Sequence, residues 1–315
     1  MSKTAQTLII DAEHAGRRLD NYLMGVLKNL PKSYVYRIIR SGEVRVNGGR
    51  KKANARLELD DKVRIPPFRQ ATRDRPVISS QWCESARQRV LYEDADCLVF
   101  DKPAGLAVHG GSGLDFGVID ILRRTFGDQL ELVHRLDKGT SGCRLVAKSA
   151  QVGRTLQALF RDGLVLKQYR CLVKNHFPTG GLVCDAPLAT QRQDSGQAKT
   201  RVDRNGKRAH TEFSLLENLA SGELACAHLE VAIDTGRTHQ IRVHAAHLNH
   251  PLAGDQRYGD PVFNAGLKVL GLTRMYLHAS RLEFRRPSQQ GLVKVTADEP
   301  PELTRILTRL LQRET

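Results

Sequence analysis

Four segments of the chain set ionisable side chains beside glycines: "DKPAGLAVHGGSG" (101–113), "VHRLDKGTSG" (133–142), "LKQYRCL" (166–172) with a glycine upstream, and "DTGRTHQIRVHAAHLNHP" (234–251). Glycine next to charge marks a turn on which a side chain can be presented to a ligand. The second segment is the sharpest. Asp137 stands between Arg135 and Lys138 in a polar turn with apolar stretches on either side. Asp, Gly and Ser all favour tight turns through local hydrogen bonds or permissive dihedrals, so the turn alone accounts for the aspartate. A nearby arginine would also keep the carboxylate ionised. That is poor for a general acid but suits a nucleophile, or a base acting on a sugar.

Other chemistries lack their residues. "HGGSG" is like an esterase oxyanion loop, but no Gly-x-Ser-x-Gly accompanies it, since Ser141 follows Gly-Thr and runs directly into Gly142. His244 and His247 fall on neighbouring faces of a helix. His250 rotates further away before Pro251, and no carboxylate or thiol completes a metal spacing, so these are satisfied or exposed histidines and no metal is expected. "GGSGLDFG" has neither the Gly-Lys-Ser/Thr ending of a phosphate loop nor a Gly-x-Gly-x-x-Gly after a strand. Six widely spaced cysteines without a Cys-x-x-Cys pair suit reduced, mostly buried thiols.

The elements that must position these groups fall into two blocks. In 17–67, Leu19, Leu23, Val26 and Leu27 recur at helical spacing, and after Pro31 a second helix carries Val35, Ile38 and Ile39 as its apolar stripe. Away from that stripe project Lys32, Arg37 and Arg40. "SGEVRVNGGRKK" then adds a strand and turn with Arg45, Arg50, Lys51 and Lys52, giving seven Lys or Arg against the single acid Glu43 over 32–52. A basic helix face joined through glycine to a basic hairpin forms one electropositive surface of the kind a phosphate backbone needs. "PFRQATRDRPVISSQWCESAR" (67–87), with prolines and no periodicity, reads as a linker. Beyond it strand-like runs ("CLVFDKP", "YRCLVKN", "AHLEVAI", "LEF") alternate with helical ones ("GVIDILRRTF", "GRTLQALFRDG"), and "PPELTRILTRLLQRE" closes as an amphipathic helix. The fold class is therefore α+β. We expect a small N-terminal domain over 1–66, a linker over 67–87, and a catalytic domain over 88–315 with a large mixed, mostly antiparallel sheet flanked by helices and loops.

With 315 residues and 40% hydrophobic content the chain can bury a sizeable core in about two domains. A formal charge of +15 favours a polyanionic partner over a neutral metabolite. No apolar run approaches the roughly 18 residues of a spanning helix, and "MSKTAQTLII" lacks a signal-peptide pattern, so we expect a cytoplasmic protein with no membrane partner.

"GRRLDNYL", "PKSYVYRIIRSGEVRVNG" and "DDKVRIPP" together resemble the alpha-L RNA-binding domain first seen in a ribosomal small-subunit protein. "HRLDKGTSG", "KQYRCLV", "GRTHQIRVHAAHLNHPLAGDQRYG" and "LHASRLEF" resemble, in order and spacing from Tyr92 to about Pro301, the signature set of the RluA family of pseudouridine synthases. The resemblance implies an isomerase that detaches uracil from ribose, turns it and rejoins it through a ring carbon, with no cofactor. It implies a catalytic Asp137, which attacks the anomeric carbon or removes a proton from the neighbouring sugar carbon, and a Tyr169 that packs on the flipped base and assists the late proton step. Arg242 would pair with Asp137. Arg135 would fill or read the vacated space, Arg237 and His239 would face the RNA, and Ile241 and Leu277 would wall the pocket. The implied partner is large-subunit ribosomal RNA, bound by a monomer. Two other readings are a transfer-RNA-modifying member of the family and a non-catalytic RNA-binding protein of ribosome assembly. The trio Asp137, Tyr169 and Arg242 argues against the latter. Gly139 in the variable pair after Asp137, and Cys171 in place of an alanine, depart from the family pattern without touching a proposed catalytic group.

Overall fold

A computed structural model describes all residues except 1–3, 13, 28–29, 31, 69–77, 108–115, 193–197, 288–290 and 313–315. The "VHGGSG" part of the first glycine segment and the middle of the expected linker lie outside the described residues. The chain divides into two compact units, Met1–Val77 and Ile78–Thr315.

The first unit contains β1 (Gln6–Ile9), α1 (Leu19–Val26), α2 (Lys32–Arg40), β2 (Arg45–Val46) and β3 (Lys62–Ile65), its sheet ordered β1-β3-β2 and antiparallel throughout. The stripe read from the sequence is its core: Leu19, Leu23, Leu27, Val35, Ile38 and Ile39 are buried with Val44, Val63 and Ile65. Burying the apolar stripe of α2 leaves Arg37 and Arg40 in water, as a 3.6-residue period requires.

The second unit runs α3 (Ser80–Gln88), β4 (Val90–Glu93), β5 (Cys97–Lys102), α4 (Val118–Phe126), β6 (Glu131–Leu132), β7 (Ser141–Ala147), α5 (Ala150–Arg161), β8 (Leu166–Lys174), β9 (Leu182–Cys184), β10 (Leu188–Arg192), β11 (Ala198–Val202), β12 (Thr211–Ser221), β13 (Leu224–Ile233), α6 (Gln240–His247), α7 (Pro261–Val269), β14 (Leu277–Arg285), β15 (Leu292–Thr296) and α8 (Pro301–Leu311). Ten strands form one sheet with the path β4-β5-β7-β14-β8-β13-β12-β9, β15 beside β14 and β6 beside β7. Every pairing is antiparallel except β7 with β14. β10 and β11 form a separate hairpin. The fold is the expected α+β arrangement with a mixed, mostly antiparallel sheet. Residues 80–87, read from the sequence as linker, are helical, and Ala86 of α3 is buried against Leu98, Phe100, Ile119 and Leu122.

The single parallel pair positions the site. β7 lies between β5 and β14, so Gly142 faces Lys102 on one side and Ala279 on the other. Its φ is +104°, and a Cβ there would collide with the Ala279 carbonyl. Only glycine satisfies both the dihedral and the close approach.

Candidate active site

Asp137 sits between β6 and β7, where the chain turns to enter the centre of the sheet. The Thr140 amide donates to the Asp137 carbonyl (3.1 Å), and the Lys138 carbonyl accepts from the Gly105 amide (2.8 Å) and from Lys102 Nζ (3.2 Å). Lys102, fully buried at the end of β5, also donates to the carbonyls of Pro103 (2.9 Å) and Leu106 (3.1 Å). One ammonium thus ties the glycine loop after β5 to the aspartate turn. Burial, then the positive charge of Arg144, lowers its pKa to about 7.

The Asp137 carboxylate meets Arg242 of α6, whose Nη1 donates to Asp137 Oδ2 (3.1 Å). The guanidinium is itself held from behind. Nε donates to Asp255 Oδ2 (2.7 Å) and Nη2 to Asp255 Oδ1 (2.8 Å), a two-pronged pairing that fixes the plane of the group. Asp255, wholly buried, also accepts from the amides of Arg257 and Tyr258. Burial alone would depress Arg242, but hydrogen bonding and charge from Asp255, with Asp137 added, hold it above its ordinary value. Desolvation of Asp255 is likewise outweighed by Arg242 and the two amides, which keep its pKa low.

α6 is oriented by its first residues. His239 caps it in the left-handed region (φ 55°), and buried Gln240 accepts from Thr235 Oγ1 and the Arg237 amide while donating to the His210 carbonyl and Thr211 Oγ1. His239 Nε2 lies 3.8 Å from Asp137 Oδ2, and its Nδ1 shares a hydrogen bond with the Tyr258 hydroxyl (2.9 Å). His239, expected to face the RNA, borders both spaces that Asp137 lines and lies in the carboxylate's surroundings. Burial lowers its pKa, with Asp137 pulling the other way.

Asp137 lines two adjoining spaces. The smaller, about 60 Å³, is bounded by Tyr169, Ile241, Leu277, Ile233, Arg135 and Arg242. The sequence-derived pocket residues Ile241 and Leu277, each nearly fully buried, therefore do share a cavity with Asp137 and Tyr169. Burial, then the Asp137 charge, raises the Tyr169 hydroxyl, which stays protonated. The larger space, about 790 Å³, is lined by Arg135, Asp137, Lys138, Arg144, Asp255 and Arg274 among others. Arg135, exposed at its mouth, donates to Thr238 Oγ1 (2.8 Å). Arg237 is exposed, donates to the Arg208 carbonyl (2.9 Å) and borders a groove of about 510 Å³ along β10 and the turn at Asn205–Lys207.

Sequence reasoning passed over Lys102, Arg144, Asp255 and Tyr258. Asp255 and Tyr258 lay within "GDQRYG", yet nothing in that string ties them to Arg242 and His239. Arg144 did leave a signal, as the only charge in the apolar run Cys143–Ala147 of a fully buried strand. Of the histidines weighed for metal binding, His244 pairs with Thr211 Oγ1 and the Ala186 carbonyl, His250 with the Lys174 carbonyl, and His247 is exposed.

In the N-terminal unit, Arg37, Arg40, Arg50, Lys51 and Lys52 are exposed and Arg45 is half-buried. Arg37 packs over Tyr34 and reaches Glu43 (3.4 Å). Arg40, Arg50, Lys51 and Lys52 line one cavity of about 490 Å³ with Tyr36 and Ile39. Lys32 is the first residue of α2.

Residues 96–247 match the family model for RNA pseudouridylate synthase and residues 17–63 that for the S4 domain. Fold and site thus define an RNA uridine isomerase with a small RNA-binding module ahead of it. Among similar proteins are the ribosomal large subunit pseudouridine synthases C of Pasteurella multocida (41% identical, covering 100% of this chain and 96% of the relative) and Escherichia coli (42%, covering 98% and 97%). The solved structure of human RNA pseudouridylate synthase domain containing 4 superposes with a TM-score of 0.58 at 28% identity, covering 73% of this chain and 95% of that one. The chain belongs to the RluA family of RNA pseudouridylate synthases and is an isomerase.

Proposed function

We propose that this chain, acting as a monomer in the cytoplasm, converts uridine to pseudouridine in large-subunit ribosomal RNA, with Asp137 acting on the ribose of a flipped-out uridine. The observation that carries the reading is the placement of the Asp137 carboxylate on the wall shared by two cavities, held by an arginine that a buried aspartate has already oriented. The names of the full-length relatives support the ribosomal substrate.

The reaction breaks the N1–C1′ bond, forms a C5–C1′ bond, removes a proton from C5 and returns one to N1. Reactant and product are isomers. Extrusion of the base costs a few kcal/mol and is easiest in unpaired RNA. Tyr169, Ile241 and Leu277 offer the flipped uracil apolar walls on which it can turn after detachment. Arg242 keeps Asp137 anionic and aimed, for attack at C1′ or for removal of the C2′ proton. A buried, protonated Tyr169 hydroxyl can relay the proton lost from C5 late in the cycle. Arg135, at the cavity mouth, suits the space the base leaves behind. No helix among the described residues is long and apolar enough to cross a membrane. The test is release of hydrogen from uracil C5 of labelled ribosomal RNA, with pseudouridine mapping in cells lacking the gene. Ribosomal RNA unchanged in both assays would overturn the assignment.

A further inference from the structure

Five cations line the larger cavity (Arg135, Lys138, Arg144, Arg242, Arg274) against two carboxylates, Asp137 and Asp255. Most of the arginines are engaged. Arg242 holds both carboxylates, Arg274 pairs with Glu302 and the Ser141 hydroxyl, and Arg135 bonds Thr238. Arg144 is different. It is 1% exposed, and none of its Nε, Nη1 and Nη2 atoms has a hydrogen-bond partner. Among the described residues no other side chain leaves a whole charged group buried and unanswered. Its neighbours offer no anion: Lys102 is basic, the Tyr169 hydroxyl stays protonated, and His134 is neutral, with Nε2 taken by the Leu145 amide (3.0 Å). An enclosed guanidinium without a counter-charge is strongly unfavourable, and an apolar side chain of similar volume would serve the strand better. The volume, about 790 Å³, is ample for a nucleotide beyond the one whose base enters the smaller space.

We propose that Arg144 seats a phosphodiester oxygen of the RNA strand carrying the target uridine, in the larger of the two spaces that Asp137 borders. This rests on the RNA-isomerase reading and adds a binding residue to it. A phosphate is the anion the strand supplies at every nucleotide, and guanidinium is suited to take it through two parallel hydrogen bonds. The contact fixes where the backbone passes relative to Asp137, and so which sugar carbon faces the carboxylate.

The test compares the full-length wild type with Arg144→Leu and Arg144→Lys. Equilibrium affinity is read on a fully pseudouridylated large-subunit transcript, so that no turnover intervenes, across a series of salt concentrations. Arg144→Leu is expected to melt at or above the wild-type temperature, to bind about tenfold or more weakly, and to show a slope of log affinity on log salt shallower by about 0.7–0.9, one phosphate contact. Arg144→Lys should restore most of the slope. The proposal is overturned if Arg144→Leu keeps the wild-type slope, whether turnover falls (a contact to the base) or melting falls (a packing role). A wild type that binds the transcript but isomerises none of its uridines would sink the functional reading, while the slope comparison would still judge Arg144.

Discussion

In the N-terminal unit the cations stand in water on a helix face and a hairpin, several of them around one shallow cavity. In the catalytic unit Lys102, Arg144 and Arg242 are enclosed, and the hydrogen bonds of Lys102 and Arg242 fix their directions. Exposed cations act on a polyanion mainly through counterion release, a term that depends on their number more than on their exact placement. An enclosed cation that holds a partner, as Arg242 does, is strengthened by the low local dielectric, and its loss leaves that partner uncompensated. On the reading proposed above, the first region would collect RNA through the number of its cations, whereas the second depends on where its charges are held.

The comparison breaks first at Asp137. Asp137→Asn is expected to lower turnover by about 10³- to 10⁴-fold while leaving RNA affinity within a few-fold, checked by C5 hydrogen release alongside filter binding. Comparable turnover in the variant would sink the catalytic assignment. Next is Arg242→Met, which strands buried Asp255. Unfolding in urea should show a loss of about 3–5 kcal/mol, and a loss below about 1 kcal/mol would mean that the pair is dispensable. Joint replacement of Arg40, Arg50, Lys51 and Lys52 by alanine should instead preserve saturated turnover and flatten the salt slope of binding by roughly 3, at about 0.7–0.9 for each contact. An unchanged slope would show that this surface is idle.

The smallest effect separates the regions by pH. Lys102 has a folded pKa of about 7 against 10.5 unfolded, so the unfolded chain binds the extra proton between those values and stability rises with pH there. The stability of wild type relative to Lys102→Met should therefore grow from pH 7 toward pH 10, by about 1–2 kcal/mol after allowance for water in the cavity. A flat difference would place the ammonium in a wetter setting. Alanine at exposed Lys52 should give no such pH dependence.

Much of this was legible in the chain. Periodicity found α1, α2 and their core because each helix buries one stripe and wets the other. The family resemblance implied that Asp137 and Arg242, 105 residues apart, share one site, and they do meet. What escaped has physical causes. α3 has a weak apolar face and opens on two serines, so its sequence resembles a loop until Ala86 packs under α4 and β5. Asp255 and Tyr258 act through tertiary contacts that no local spacing encodes. The left-handed backbone of His239 at the start of α6 is a conformation invisible in residue type. Arg144 was visible as an anomaly, but a charge in an apolar strand gives no hint of its ligand.

Gly142 has no functional group, yet its missing side chain sets the tolerance of the active centre. A methyl group there would meet a backbone carbonyl of the neighbouring strand rather than a side chain able to swing aside, so the strain would pass directly into β7 and the turn ahead of it. Variation at the rim of the cavities can retune which RNA is gripped. Variation at this buried, chemically silent position would move the carboxylate itself.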